Sequence, residues 1–114
     1  IREAPALEII QALLGSGATV AAFDPEAMNN VKALFANKVS FCDTPYDCLQ
    51  NADALIIATE WNEFRTPDFD KMLSLMKEPV IFDGRNVFDV SVMEKKGFHY
   101  ESIGRPLVNQ PKLV

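Results

Sequence analysis

The sequence is poor in the residues that metal and thiol chemistry need. Among its 114 residues, His99 is the one histidine, and Cys42 and Cys48 are the two cysteines. That set makes no zinc pattern. Neither cysteine has a histidine or basic neighbour in sequence to lower a thiol pKa, so neither reads as a nucleophile. The pair allows a disulfide without indicating one, and both are read as reduced thiols of a cytoplasmic protein. Basic residues are also scarce: 11 against 16 acids, a formal net charge of −5. That balance argues against a nucleic-acid or anionic-membrane surface, where phosphates must be met by clustered Lys and Arg. A small anionic ligand is still admitted, because one or two placed arginines suffice for it. No apolar run approaches the roughly 20 residues of a membrane span, and none follows a basic leader. A glycine-rich phosphate loop between strand and helix is missing too: Gly15-Ser16-Gly17 follows a helical pattern and reads as a helix end.

What is present is a soluble globular composition, 48% hydrophobic and 24% charged, enough for one domain with a real core. Leu7, Ile10, Leu13 and Leu14 recur at helical spacing, with Pro5 in the first turn. Residues 18–24, ATVAAFD, read as a short strand, and Pro25 opens a helix to about Phe35, with Met28, Val31, Leu34 and Phe35 inward. Val39–Phe41 reads as a strand, and Thr44-Pro45 as the cap and first residue of a brief helix. Residues 54–58, ALIIA, form the continuous apolar run of a strand buried on both faces. Thr66-Pro67 caps a helix to about Met76, and residues 80–82 return to strand. A last helix near residues 90–96 ends at Gly97, and residues 98–102 make a final strand. The segment 106–114, with Pro106 and Pro111, is expected to be an extended tail.

Alternating short strands and helices argue for an α/β fold: an open, mainly parallel Rossmann-like sheet with helices on both faces. The chain starts on a helix, however. In a doubly wound sheet of order 3-2-1-4-5-6 the first strand is central. The expectation is therefore a domain at residues 1–105 whose N-terminal central strand is missing, leaving two central strands without their shared neighbour.

Ligands of such sheets bind beyond the carboxyl ends of the strands. Asp24, Glu60-Trp61 and Asp83-Gly84-Arg85 stand at such ends, and Arg2 would share that edge if it follows the missing strand. Arg2 and Arg85 are thus placed to face one crevice, and guanidinium forks suit phosphate oxygens. A plainer reading stays open: Gly84 supplies a tight turn, and Arg85 pairs with Asp83 or Asp89 on the surface. Asp24 before Pro25 reads as a helix cap or, in dinucleotide folds, a ribose reader. Trp61 reads as packing, and His99 as a surface or core residue.

Taken together, IREAPALEIIQALLGSGATVAAFDPEA, CDTPYDCLQNADALIIATEWNEFRTPDF, VIFDGRNVFD and GFHYESIGR, in this order and spacing, resemble the C-terminal UDP-binding domain of the UDP-glucose 6-dehydrogenases. The resemblance runs from Arg2 to Arg105. It implies a parent enzyme that oxidises UDP-glucose to UDP-glucuronate with NAD, through a catalytic cysteine on another domain, as a cytoplasmic homodimer or higher homo-oligomer. Residue by residue, Arg85 in DGRN matches the family's arginine that contacts the nucleotide sugar, and Arg2 in REAP matches one that reaches toward NAD. The family's substrate-binding lysine before Ile1, its NAD-binding glycines and its catalytic cysteine with its lysine and asparagine are missing. Cys42 and Cys48 match no catalytic position. The expectation is a nucleotide-sugar-binding piece of a dehydrogenase, inactive alone, with no catalytic residue or metal of its own. Alternatives are the same domain of a GDP-mannose or UDP-N-acetylhexosamine dehydrogenase, or a structural or dimerising α/β domain. A phospho-acceptor receiver fits poorly, since Arg85 stands where a lysine is needed and no acid cluster is present.

Overall fold

A computed structural model describes residues 4–24, 34–59 and 64–109, which fall into two units, Ile1–Cys48 and Leu49–Val114. In the first unit, helix α1 (Ala4–Gly15) packs Leu7, Ile10 and Leu14 against a core around the buried Phe35 and Val39, joined by Val20, Ala22 and Phe41. That is the stripe its apolar spacing demands. The helix ends as its glycines require. Gly17 takes a left-handed φ of +89°, its N–H bonds the Leu14 carbonyl at 3.1 Å, and the Ala18 N–H bonds the Leu13 carbonyl at 3.0 Å. These paired bonds satisfy carbonyls that the last turn leaves without partners.

Strands β1 (Val20–Ala22) and β2 (Val39–Phe41) run parallel, Val20 opposite Val39 and Ala22 opposite Phe41. The helix expected over residues 25–35, with Met28 and Val31, lies outside the described residues except at its end. There residues 34 and 35 are helical and lead into a 3-10 turn, Ala36–Lys38. Phe35 is buried as expected, but Leu34 is 65% exposed. Consecutive helical positions point about 100° apart, so the pair does not share one inner face. Helix α2 (Pro45–Leu49) is capped by Thr44, whose Oγ1 accepts the Asp47 N–H at 3.2 Å.

The second unit is a parallel sheet of β3 (Leu55–Ile57), β4 (Val80–Asp83) and β5 (His99–Ser102), in that order. Helices α3 (Phe69–Leu75) and α4 (Val90–Lys96) are the crossovers. Met72, Ile81, Met93, Phe98 and Tyr100 are fully buried, and Phe88 nearly so. Burying each such side chain contributes about 1.5–3 kcal/mol. Phe69 sets its ring edgewise to Phe88 and Phe98, at 5.2 and 6.1 Å between centroids.

Two local expectations are corrected here. The cap of α3 is Asp68 and not Thr66: the Asp68 carboxylate accepts the Lys71 N–H at 3.0 Å. An anion at a helix N-terminus also meets the positive end of the macrodipole. Strand β3 is not buried on both faces. Ile57 is buried, whereas Ile56 is 37% exposed and pairs across the ladder with Phe82, 38% exposed. The alternation of side chains along a strand puts these two on the opposite face from Ile57 and Ile81.

Helix α4 has the expected bounds. The Asp89 carboxylate accepts the Ser91 N–H at 2.8 Å, and Gly97 ends the helix at φ +87°. Residues 106–109 of the expected tail are tied down, and residues 110–114 lie outside the described residues. Val108 exchanges two backbone hydrogen bonds of 3.1 Å with Tyr100. The Asn109 amide donates to the Glu94 and Phe98 carbonyls at 3.1 and 3.0 Å.

Candidate functional site

At the carboxyl end of β4 the chain turns through Asp83-Gly84-Arg85-Asn86, and Asp83 is 2% exposed. A carboxylate removed from water is tolerated only where donors meet its lone pairs. Oδ1 accepts the Arg85 N–H at 3.0 Å. Oδ2 accepts the Val87 N–H at 2.7 Å, the Phe88 N–H at 3.0 Å and the Tyr100 hydroxyl at 2.5 Å. The side chain therefore gathers the turn around itself, as short acidic side chains do at caps and Asx turns.

Gly84 is needed here for closeness. Its N–H donates to the Ile57 carbonyl at 2.9 Å, and a Cβ would stand 3.1 Å from that oxygen. A side chain would have to push the end of β3 away by a few tenths of an ångström. Asn86 adopts a left-handed φ of +53°, which asparagine tolerates better than most residues. Its amide clamps Ile103 from both sides: Nδ2 donates to the Ile103 carbonyl at 3.0 Å, and Oδ1 accepts the Ile103 N–H at 2.8 Å.

A second layer holds the first. Arg105 donates from Nη2 to the Tyr100 hydroxyl at 2.6 Å, from Nη1 to the Phe88 carbonyl at 3.0 Å and from Nε to Ser102 Oγ at 2.8 Å. Its guanidinium also lies 5.5 Å from the centroid of the Tyr100 ring. The phenol has one hydrogen, which goes to the Asp83 carboxylate, while its oxygen accepts from Arg105. Burial, then the hydrogen bond to Asp83 and its charge, push the Tyr100 pKa well up, so the phenol remains a donor.

Arg85 sits at the exposed tip of this turn. Asp83 serves backbone amides and Tyr100, and Asp89 serves the Ser91 N–H and hydroxyl. Arg2, Glu60 and Trp61 lie outside the described residues, so their placement beside Arg85 is not part of this geometry. Asp24 follows β1, and the helix it was expected to cap lies outside the described residues as well. His99 is engaged within the fold, with Nε2 2.8 Å from Glu101 Oε2 and Nδ1 3.3 Å from the Asn109 carbonyl. Cys42 and Cys48 are free and half-buried. Among the described residues no three His, Cys, Asp or Glu gather to hold a metal, and no helix is long and apolar enough to cross a membrane.

In the sequence Asp83, Gly84 and Arg85 stood out at this strand end, but not what holds their turn. Asp83, Asn86, Tyr100 and Arg105 carry that work. Their available signals were an acid followed by glycine and an asparagine at a turn, and neither points to a partner far along the chain. The arrangement is an arginine presented on a pinned turn, at the strand edge where open α/β sheets bind ligands.

A family model described as the UDP-glucose/GDP-mannose dehydrogenase family, UDP binding domain, matches residues 1–90. A UDP-glucose 6-dehydrogenase of Rhizobium meliloti is 45% identical over 106 residues, covering 93% of this chain and 24% of that protein. One from Pseudomonas aeruginosa is 42% identical over 111 residues, with the same coverage of 93% and 24%. TuaD of Bacillus subtilis, also a UDP-glucose 6-dehydrogenase, is 41% identical and covers 95% of this chain and 23% of its own length. The chain thus spans about a quarter of the length of these relatives. A solved UDP-D-ManNAc dehydrogenase from Pyrococcus horikoshii shares the fold, with a TM-score of 0.51 over 88% of this chain and 30% of its own, at 21% identity. From its motifs, its parallel α/β units and these matches, the chain belongs to the UDP-glucose/GDP-mannose dehydrogenase family, of which it carries the UDP binding domain.

Proposed function

We propose that this chain is the UDP-sugar-binding C-terminal domain of an NAD-dependent UDP-glucose 6-dehydrogenase, and that Arg85 contacts the nucleotide sugar. The observation that carries the reading is the turn itself: a buried carboxylate, a close-packed glycine and an amide clamp hold the backbone of an exposed arginine at the end of β4. A guanidinium whose base is fixed loses less freedom on meeting a phosphate than one on a loose loop. The relatives at 41–45% identity, all UDP-glucose 6-dehydrogenases, support UDP-glucose over GDP-mannose or a UDP-N-acetylhexosamine. Competition between these nucleotide sugars for the whole enzyme distinguishes the three.

Residues 1–105 are the domain in this reading, and its central first strand precedes Ile1 in a longer parent. The strand pairing supports this: among the described residues β1 is hydrogen-bonded to β2 and β3 to β4, with no second neighbour for either. The described residues do not fit an NAD site, because Gly15 and Gly17 finish α1 instead of opening a helix after a strand. Oxidation to UDP-glucuronate, NAD binding, homo-oligomer formation and a cytoplasmic location belong to the parent, with Arg2 reaching toward the NAD held elsewhere. Titrating UDP and UDP-glucose into this chain and into one extended N-terminally tests the reading. Binding by the extended chain supports it; binding by neither leaves the domain a structural one.

A further inference from the structure

The neighbouring strands β4 and β5 each end in a turn, and the two turns are joined. The turn after β5 runs from Ser102 through Ile103 and Gly104 to Arg105, whose Nε donates across it to Ser102 Oγ at 2.8 Å. Ile103 is held from the other turn: Asn86 Nδ2 donates to its carbonyl at 3.0 Å, and Asn86 Oδ1 accepts its N–H at 2.8 Å. Both bonds use backbone groups, so the clamp fixes the main chain of Ile103 and makes no use of its side chain. That side chain is 65% exposed. Turn positions usually go to Gly, Pro, Asn, Asp or Ser, whose conformations or side chains suit the bend. A β-branched apolar residue in this place gains little from the fold. Asn86 is also the chain neighbour of Arg85, which stands at the exposed tip of its own turn. A cation and an aliphatic side chain are thus carried on adjoining turns, fixed to each other through Asn86.

We propose, building on the assignment of Arg85 to the nucleotide sugar, that Ile103 is a second contact of the same ligand and packs against one of its rings. The ligand has the matching pattern: a charged diphosphate flanked by rings, the uridine on one side and the hexose on the other. Their faces carry C–H groups and no charge. A guanidinium answers the phosphate but leaves the adjoining ring in water, and an aliphatic side chain held on the next turn covers it. The backbone of Ile103 is already fixed, so binding orders only its side chain, and a β-branched side chain has few rotamers to lose. Most of the gain from burying it is therefore kept. The alternative is a surface isoleucine without a ligand, of the kind that folded proteins carry singly.

The test titrates UDP-glucose and UDP calorimetrically into the whole parent enzyme, as wild type, Ile103→Ala, Ile103→Val and Arg85→Ala. The Ile103 variants keep the fold, because the side chain is exposed and the clamp uses only backbone groups. Ile103→Ala should bind UDP-glucose roughly 3- to 30-fold more weakly, with a less negative heat-capacity change of binding. Ile103→Val should recover most of that affinity. Equal weakening for UDP would put the uridine against Ile103, and an effect on UDP-glucose alone would put the hexose there; either supports the contact. Wild-type affinity in Ile103→Ala with weakened binding in Arg85→Ala would overturn the contact and leave Arg85 in the site. Wild-type affinity in both variants would overturn the two assignments together.

Discussion

The Tyr100 hydroxyl donates to the Asp83 carboxylate at 2.5 Å, a bond across 17 positions that ties β5 to the turn carrying Arg85. Tyr100→Phe keeps the ring and removes the donor. It leaves Asp83 with its three backbone donors and Arg105 Nη2 without its acceptor. The expected loss is about 1–3 kcal/mol of stability, the range for a buried polar group left unsatisfied. Urea unfolding measures it, and an unchanged midpoint would contradict the account.

Asp83→Asn is a harsher change of the same network, because an NH2 group then faces donors at one side of the turn. Combined with Tyr100→Phe it should be non-additive, with a coupling of roughly 0.5–3 kcal/mol as for residues in one network. Additive effects in the double mutant would mean that the two side chains act independently.

The elements that local chemistry marks were readable in the sequence. Gly97 was read as the end of α4 because it acts on carbonyls within a few residues of itself, whereas Asp89, which caps the other end, stood out in the sequence only as a partner for Arg85. Thr66-Pro67 misled because Asp68 offers a charged acceptor closer to the first turn of α3. Leu34 and Ile56 were misread because apolar identity does not say which side of an element is packed. The network under Arg85 was not legible: Asp83, Tyr100 and Arg105 meet only after β4 and β5 pair, and Asn86 finds Ile103 the same way. The turn could be seen in DGRN; what pins it could not.

Asn86 offers a separation of backbone from side chain. Asn86→Gly keeps the left-handed φ and loses the clamp on Ile103, while Asn86→Ala loses both. The alanine variant should be less stable than the glycine variant by about 1 kcal/mol, the penalty of a left-handed conformation with a Cβ. Equal thermal midpoints for the two would show that the backbone conformation at this position is not constrained.

Asp89 gives a pH dependence with a definite sign. The Ser91 hydroxyl, and then the Ser91 N–H, hold its carboxyl below the usual carboxylate range. A lowered folded-state pKa stabilises fully above the unfolded-state value, and that contribution is lost as pH falls through the folded one. Asn caps helices as well as Asp does, so Asp89→Asn isolates the charge. The stability gap between wild type and this variant should close as the pH falls below the carboxylate range. A gap that stays constant into acid would contradict the assignment.

The central claim is that the pinned turn presents Arg85 to a UDP-sugar. The most direct measurement is a calorimetric titration of UDP-glucose into the N-terminally extended chain, as wild type and as Arg85→Ala. Loss of a charge-assisted hydrogen bond predicts binding weaker by about 1.5–3 kcal/mol, roughly 10- to 150-fold. Affinity equal to wild type in the variant would remove Arg85 from the site and leave DGRN as a structural turn.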